Sequence, residues 1–97
     1  MRKIRSYQAI TTRYFGAGNV KGSRVKATAA AGSITLHWDD ALNIEQNHAK
    51  AAEALARKFG WPGNYYVGGL PDDRGYVFVS AAADTFAFGD DEKVNAA

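Results

Sequence analysis

The stretch from Asn43 to Pro62 constrains the fold more than any other part of the chain. Ile44, Ala51, Ala52, Leu55 and Phe59 recur at spacings that fall on one stripe of a helix. Asn43 with Gln46 three residues later is a variant of the capping box, and Gly60 followed by Pro62 supplies a stop. The pattern predicts a helix over about 43–59. Alanines at 49, 51, 52, 54 and 56 favour the helix and keep its profile low, so it can lie close to a sheet. Glu53 and Arg57 form an i,i+4 pair on its outer side. One helix cannot bury its own stripe, so the flanking segments must supply the cover.

Those segments read as strands. Residues 4–15 mix Ile4, Tyr7, Ile10, Thr11, Thr12, Tyr14 and Phe15, a β-branched and aromatic content that suits a pleated ribbon, although its alternation is imperfect. From Arg24 the alternation is clean. Val25, Ala27 and Ala29 share one face, with Arg24, Lys26 and Thr28 on the other. After a turn expected at Ala31-Gly32, Ile34, Leu36 and Trp38 point inward, and Ser33, Thr35 and His37 outward. Beyond the helix, residues 65–67 and 76–80 read as two short strands joined by a turn rich in Gly, Pro and Asp. The predicted architecture is α+β: an antiparallel sheet of about five strands with one helix on one face, in the order βββαββ. Residues 1–83 form one domain. Residues 84–97 are a C-terminal tail in which Phe86 and Phe88 add an edge strand or dock on the core, ahead of a flexible acidic end.

Charge is the strongest functional signal. Arg2, Lys3, Arg5, Arg13, Lys21, Arg24 and Lys26 put seven cations in the first 38 residues, with no Asp or Glu before Asp39. The rest of the chain carries five cations against ten acids, so a net charge of +2 conceals a marked asymmetry. Such asymmetry points to an anionic partner. The absence of cysteine excludes disulfides, thiolate metal sites and thiol nucleophiles, and fits a reducing cytoplasm. The basic N-terminus lacks the apolar run of ~7–15 residues that a signal peptide needs. No stretch approaches the ~20 apolar residues of a membrane span. A cytoplasmic location with no membrane partner is expected.

Three constellations could carry chemistry. Residues 16–23 resemble a phosphate-binding loop with its Lys21 and Gly22 transposed, but the segment that follows alternates as a strand, where that motif requires a helix. The alternatives are a plain hairpin loop, or one that uses backbone N–H groups and Lys21 to hold a phosphate or an acidic protein surface. The outward face of the second and third strands gathers Arg24, Lys26, Thr28, Thr35 and His37, with Arg13 and Tyr14 on the adjacent strand. Sheets that grip nucleic acid combine such cations with polar or aromatic groups, although any solvated sheet face is polar. His37, Asp39, Asp40 and His48 cluster in sequence, yet nothing makes them converge as a metal or acid–base site requires. His48 fits a half-buried helix position, and the two aspartates fit a turn before the helix.

One resemblance spans residues 9–80. The segments Ala9-Ile-Thr-Thr-Arg-Tyr-Phe-Gly16, Asn19-Val-Lys-Gly-Ser-Arg-Val-Lys-Ala27, Ala31-Gly-Ser-Ile-Thr35, Ala41-Leu-Asn43, Asn47-His48 and Ala54-Leu-Ala-Arg-Lys-Phe-Gly-Trp61 resemble a group of short hypothetical proteins carried by bacteriophages and other mobile elements. The resemblance implies an accessory protein that binds host nucleic acid or disables a host defence complex.

The reading that follows is a non-enzymatic binding module without cofactor or metal. Arg13, Lys21, Arg24 and Lys26 are expected to contact phosphates of a nucleic acid, with Tyr14 or His37 adding a stacking or polar contact. The first alternative is an inhibitor of a CRISPR or restriction complex that turns the same face to an acidic host protein or nucleoprotein. The second is a small enzyme using His37 and His48. Homodimerisation is left open.

Overall fold

The computed structural model describes residues 7–18 and 22–89. Five strands and one helix follow in the expected order: β1 (Ile10–Phe15), β2 (Arg24–Ala29), β3 (Gly32–His37), α1 (Ile44–Phe59), β4 (Tyr65–Gly69) and β5 (Gly75–Ser80). The strands form one antiparallel sheet in the order β3-β2-β1-β5-β4. β1 lies at its centre and joins two hairpins that are distant in sequence. The fold is α+β, with the helix packed on one face of the sheet.

The helix starts and stops where its caps dictate. The Asn43 side chain accepts from the Gln46 amide at 2.8 Å, and the Gln46 side chain accepts from the Asn43 amide at 3.0 Å. At the other end Gly60 takes the left-handed conformation (φ 70°, ψ 39°), and Trp61 N–H donates to the Ala56 carbonyl at 2.8 Å. α1 lies across β1, β2, β3 and the near side of β5 but does not reach β4. Ala51, Ala52, Leu55 and Ala56 are buried against Ile10, Val25 and Ala27, while Trp38, Phe59, Trp61 and Phe78 seal the margins. Small residues on both sides bring helix and sheet together. Among the described residues no helix is long and apolar enough to cross a membrane.

Local details depart from the sequence reading in three places. The β2–β3 turn is formed by Ala30 and Ala31, and Gly32 already pairs with Ala29 as a strand residue. Gly32 is needed for another reason: a Cβ there would stand 3.0 Å from the Phe59 ring. Ile44 is 57% exposed, so the first turn of α1 does not bury it against the sheet. The stripe position is filled instead by His48, which is fully buried rather than half-buried. Residues 84–89 form no strand, and Phe86 and Phe88 are exposed. The acidic end of the tail, with Asp90, Asp91 and Glu92, lies outside the described residues.

Candidate nucleic-acid interface

Strand alternation and register build the outer face, the one turned away from the helix. Val25 and Ala27 are buried beneath α1, so Arg24, Lys26 and Thr28 point outward. Residues directly opposite in an antiparallel pair share a face, which arranges the outer surface in rows. Phe15, Arg24 and His37 make the first row, and Arg13, Lys26 and Thr35 the second. Thr11, Thr28 and Ser33 make the third. The Arg24 guanidinium carbon sits 5.3 Å from the centre of the Phe15 ring, a cation–π contact that covers one face of the ring with the charge. Lys26 is exposed, with no carboxylate partner among the described residues.

Arg13 is engaged differently. Its guanidinium pairs with Asp72, in the turn between β4 and β5. The hydrogen bond from Arg13 and one from the Arg74 amide hold the Asp72 carboxyl below the usual carboxylate range. Among the described residues the face therefore presents two cations without a carboxylate partner, Arg24 and Lys26, and a third that already has a counter-ion.

Of the residues expected at this interface, Arg13, Arg24, Lys26 and His37 share the outer face. Tyr14 does not. Arg13 points outward, so its neighbour Tyr14 must point to the helix side, where its ring meets Trp38 edge to face at 5.0 Å and its hydroxyl lies 3.1 Å from Ser23 Oγ. The aromatic residue beside the basic rows of the outer face is Phe15, which the sequence reading missed. Period-two counting from Arg13 identifies it. Tyr66, opposite Val79, adds a second exposed ring at the far end of the same face. Lys21 lies outside the described residues, so its role in the loop rests on sequence alone. Arg24 opens β2, so no helix follows Gly22-Ser23 and the geometry of a P-loop is not present.

The two histidines lie on opposite sides of the sheet. His37 is exposed on the outer face; His48 is buried beneath the helix, with Nδ1 2.7 Å from Thr12 Oγ1. They cannot act on one substrate atom. Burial pushes the His48 imidazole below its ordinary range, opposed by the weaker attraction of Glu45. Asp39 shapes the turn: its carboxylate accepts from the Ala41 amide at 2.9 Å. Among the described residues no group of three or more His, Asp or Glu side chains converges as a metal site would require. Compared with family models, curated proteins and solved structures, the chain shows no match to any of them.

Proposed function

We propose that the protein is a non-enzymatic module that binds single-stranded nucleic acid across the outer face of its sheet, as an accessory protein of a mobile element. The observation that carries this reading is the first row of the face, where Phe15, Arg24 and His37 stand side by side next to Lys26 and Arg13. Arg24 and Lys26 contact phosphates, Arg13 joins them when a phosphate displaces Asp72, and Phe15 offers its ring to an unstacked base. A ring on an open sheet can stack only on a base that is not already enclosed in a duplex, which favours single strands. The absence of acids from the first 38 residues favours the approach of an anion to β1, β2 and β3.

Fluorescence anisotropy with single- and double-stranded probes over a salt series tests this. Single strands should bind without strict sequence preference, with a slope of log K against log salt of about −2 to −3 for three or four neutralised phosphates. Replacing Arg24 and Lys26 together by Ala should flatten that slope by roughly 1.4. Absence of binding to every probe at low salt would overturn the proposal and redirect the basic face to an acidic protein surface of a host defence complex.

A further inference from the structure

On the helix side of the same end of the sheet lies a cleft of about 600 Å³, within the ~300–1,000 Å³ of small-ligand sites. Tyr14, Trp38 and Tyr76 line it with rings, Ile44 and the buried His48 complete the wall, and Asp73 and Arg74 add one charge of each sign. The rings are fixed by edge-to-face contacts: Tyr14–Trp38 at 5.0 Å, Trp38–His48 at 5.9 Å and His48–Tyr76 at 4.9 Å. The exposure of Ile44, which the core does not explain, is accounted for by its place on this wall.

His48 supplies the polar anchor. It is 2% exposed, and Nδ1 is taken by Thr12. Nε2 has no hydrogen-bond partner among the described residues, and no buried side-chain nitrogen or oxygen is left unsatisfied, so this nitrogen reaches the cleft. Thr12 Oγ1 also lies 3.3 Å from the Tyr76 amide and 3.4 Å from its carbonyl, so the hydroxyl can serve either tautomer of the imidazole. A purely apolar occupant would strip water from Nε2 and return nothing, which is costly for a buried polar atom. A planar heterocycle whose edge carries both donors and acceptors satisfies Nε2 in either tautomer and lies among the rings.

We infer that this cleft takes up a single nucleobase, with Nε2 of His48 on the base edge, Tyr14, Trp38 and Tyr76 around its ring, and Arg74 placed for the attached phosphate. The base comes from a free nucleotide or from a strand lying on the outer face; only the second source rests on the function proposed above. Phe15 on the outer face and Tyr14 in the cleft are consecutive, so a strand passing over this end of the sheet has both sides within reach.

Trp38 reports occupancy, and Trp61→Phe leaves it the sole tryptophan; calorimetry on the unmodified chain gives the same affinity without any substitution. Adenosine and uridine monophosphates, a single-stranded oligonucleotide and inorganic phosphate are titrated separately. Saturable quenching of Trp38 by either monophosphate, without response to phosphate, is expected. Tyr14→Leu, at a position 43% exposed, should weaken it about tenfold or more while the melting temperature confirms the fold. Quenching by the oligonucleotide alone, lost in Tyr14→Leu, assigns the base to a strand. Monophosphate binding without any salt-dependent oligonucleotide affinity supports the cleft and overturns the sheet-face reading. Oligonucleotide binding that depends on Arg24 and Lys26 while Trp38 stays silent to every nucleotide overturns the cleft alone. Quenching by phosphate equal to that by nucleotides would also overturn it.

Discussion

Arg13 and Asp72, 59 residues apart in the chain, form an ion pair that ties the central strand to the turn between β4 and β5. The pair exists because β1 pairs with β5, setting Arg13 opposite Gly75 at the base of that turn. It also places a built-in competitor on the basic face. A phosphate that binds Arg13 must first displace a carboxylate.

Asp72→Asn removes that competition. The variant should bind single strands a few-fold more tightly at low salt. Its salt slope should steepen by about 0.7, the increment for one further neutralised phosphate on a single strand. Anisotropy over a salt series measures both. An unchanged slope would show that Arg13 does not contact the strand.

The burial of His48 makes stability depend on pH. The folded-state pKa of His48 is depressed by burial from its ordinary 6.5, so between the folded and unfolded values the unfolded chain binds more protons. This contribution is fully present above about pH 6.5 and declines as pH falls below it. Melting temperatures from pH 8 to pH 5 should therefore drop on the acid side. Thr12→Val keeps the shape but leaves Nδ1 without a partner, and should cost about 1–3 kcal/mol at pH 8. A melting temperature that is flat down to pH 5 would contradict the buried neutral imidazole.

The helix was readable because its signals are local: the box at Asn43 and Gln46 and the stop at Gly60 act within a few residues of where they stand. The faces of β2 and β3 were readable because apolar and polar residues alternate there without a break. β1 resisted because its buried positions include Thr12, a polar residue, while Tyr14 and Phe15 are neighbouring aromatics that burial pattern alone cannot assign. The face of Phe15 follows only when Arg13 is taken as the reference. The Arg13–Asp72 pair and the burial of His48 depend on β1 meeting β5 and on α1 lying over Thr12, contacts that no spacing along the chain records.

Asn47 secures the connection that carries the chain from β3 into the helix. It is 1% exposed; its Oδ1 accepts from the Asp39 amide at 2.8 Å, and its Nδ2 donates to the carbonyls of Asp39 at 2.9 Å and Asn43 at 3.1 Å. Asn47→Ala leaves these groups unpaired and should cost about 2–3 kcal/mol, lowering the melting temperature by roughly 10 °C or more. Asn43→Ala loses only a solvated cap and should cost about 1 kcal/mol. Equal effects in thermal melts would mean that water replaces Asn47 freely.

Phe15 separates stacking from charge on the outer face. The ring is 39% exposed and lies under the Arg24 guanidinium rather than in the core, so Phe15→Ala should leave the melting temperature close to that of the parent. Stacking on one base contributes about 1–3 kcal/mol, so single-strand affinity should fall roughly 5- to 150-fold. Because no charge is removed, the salt slope should stay as it was, whereas Arg24→Ala should flatten it by about 0.7. Phe15→Leu restores bulk without the π-face and should recover little of the lost affinity. A full recovery with Leu would mean that the position contributes only apolar contact, and a reduced salt slope in Phe15→Ala would mean that the ring acts by holding Arg24 in place.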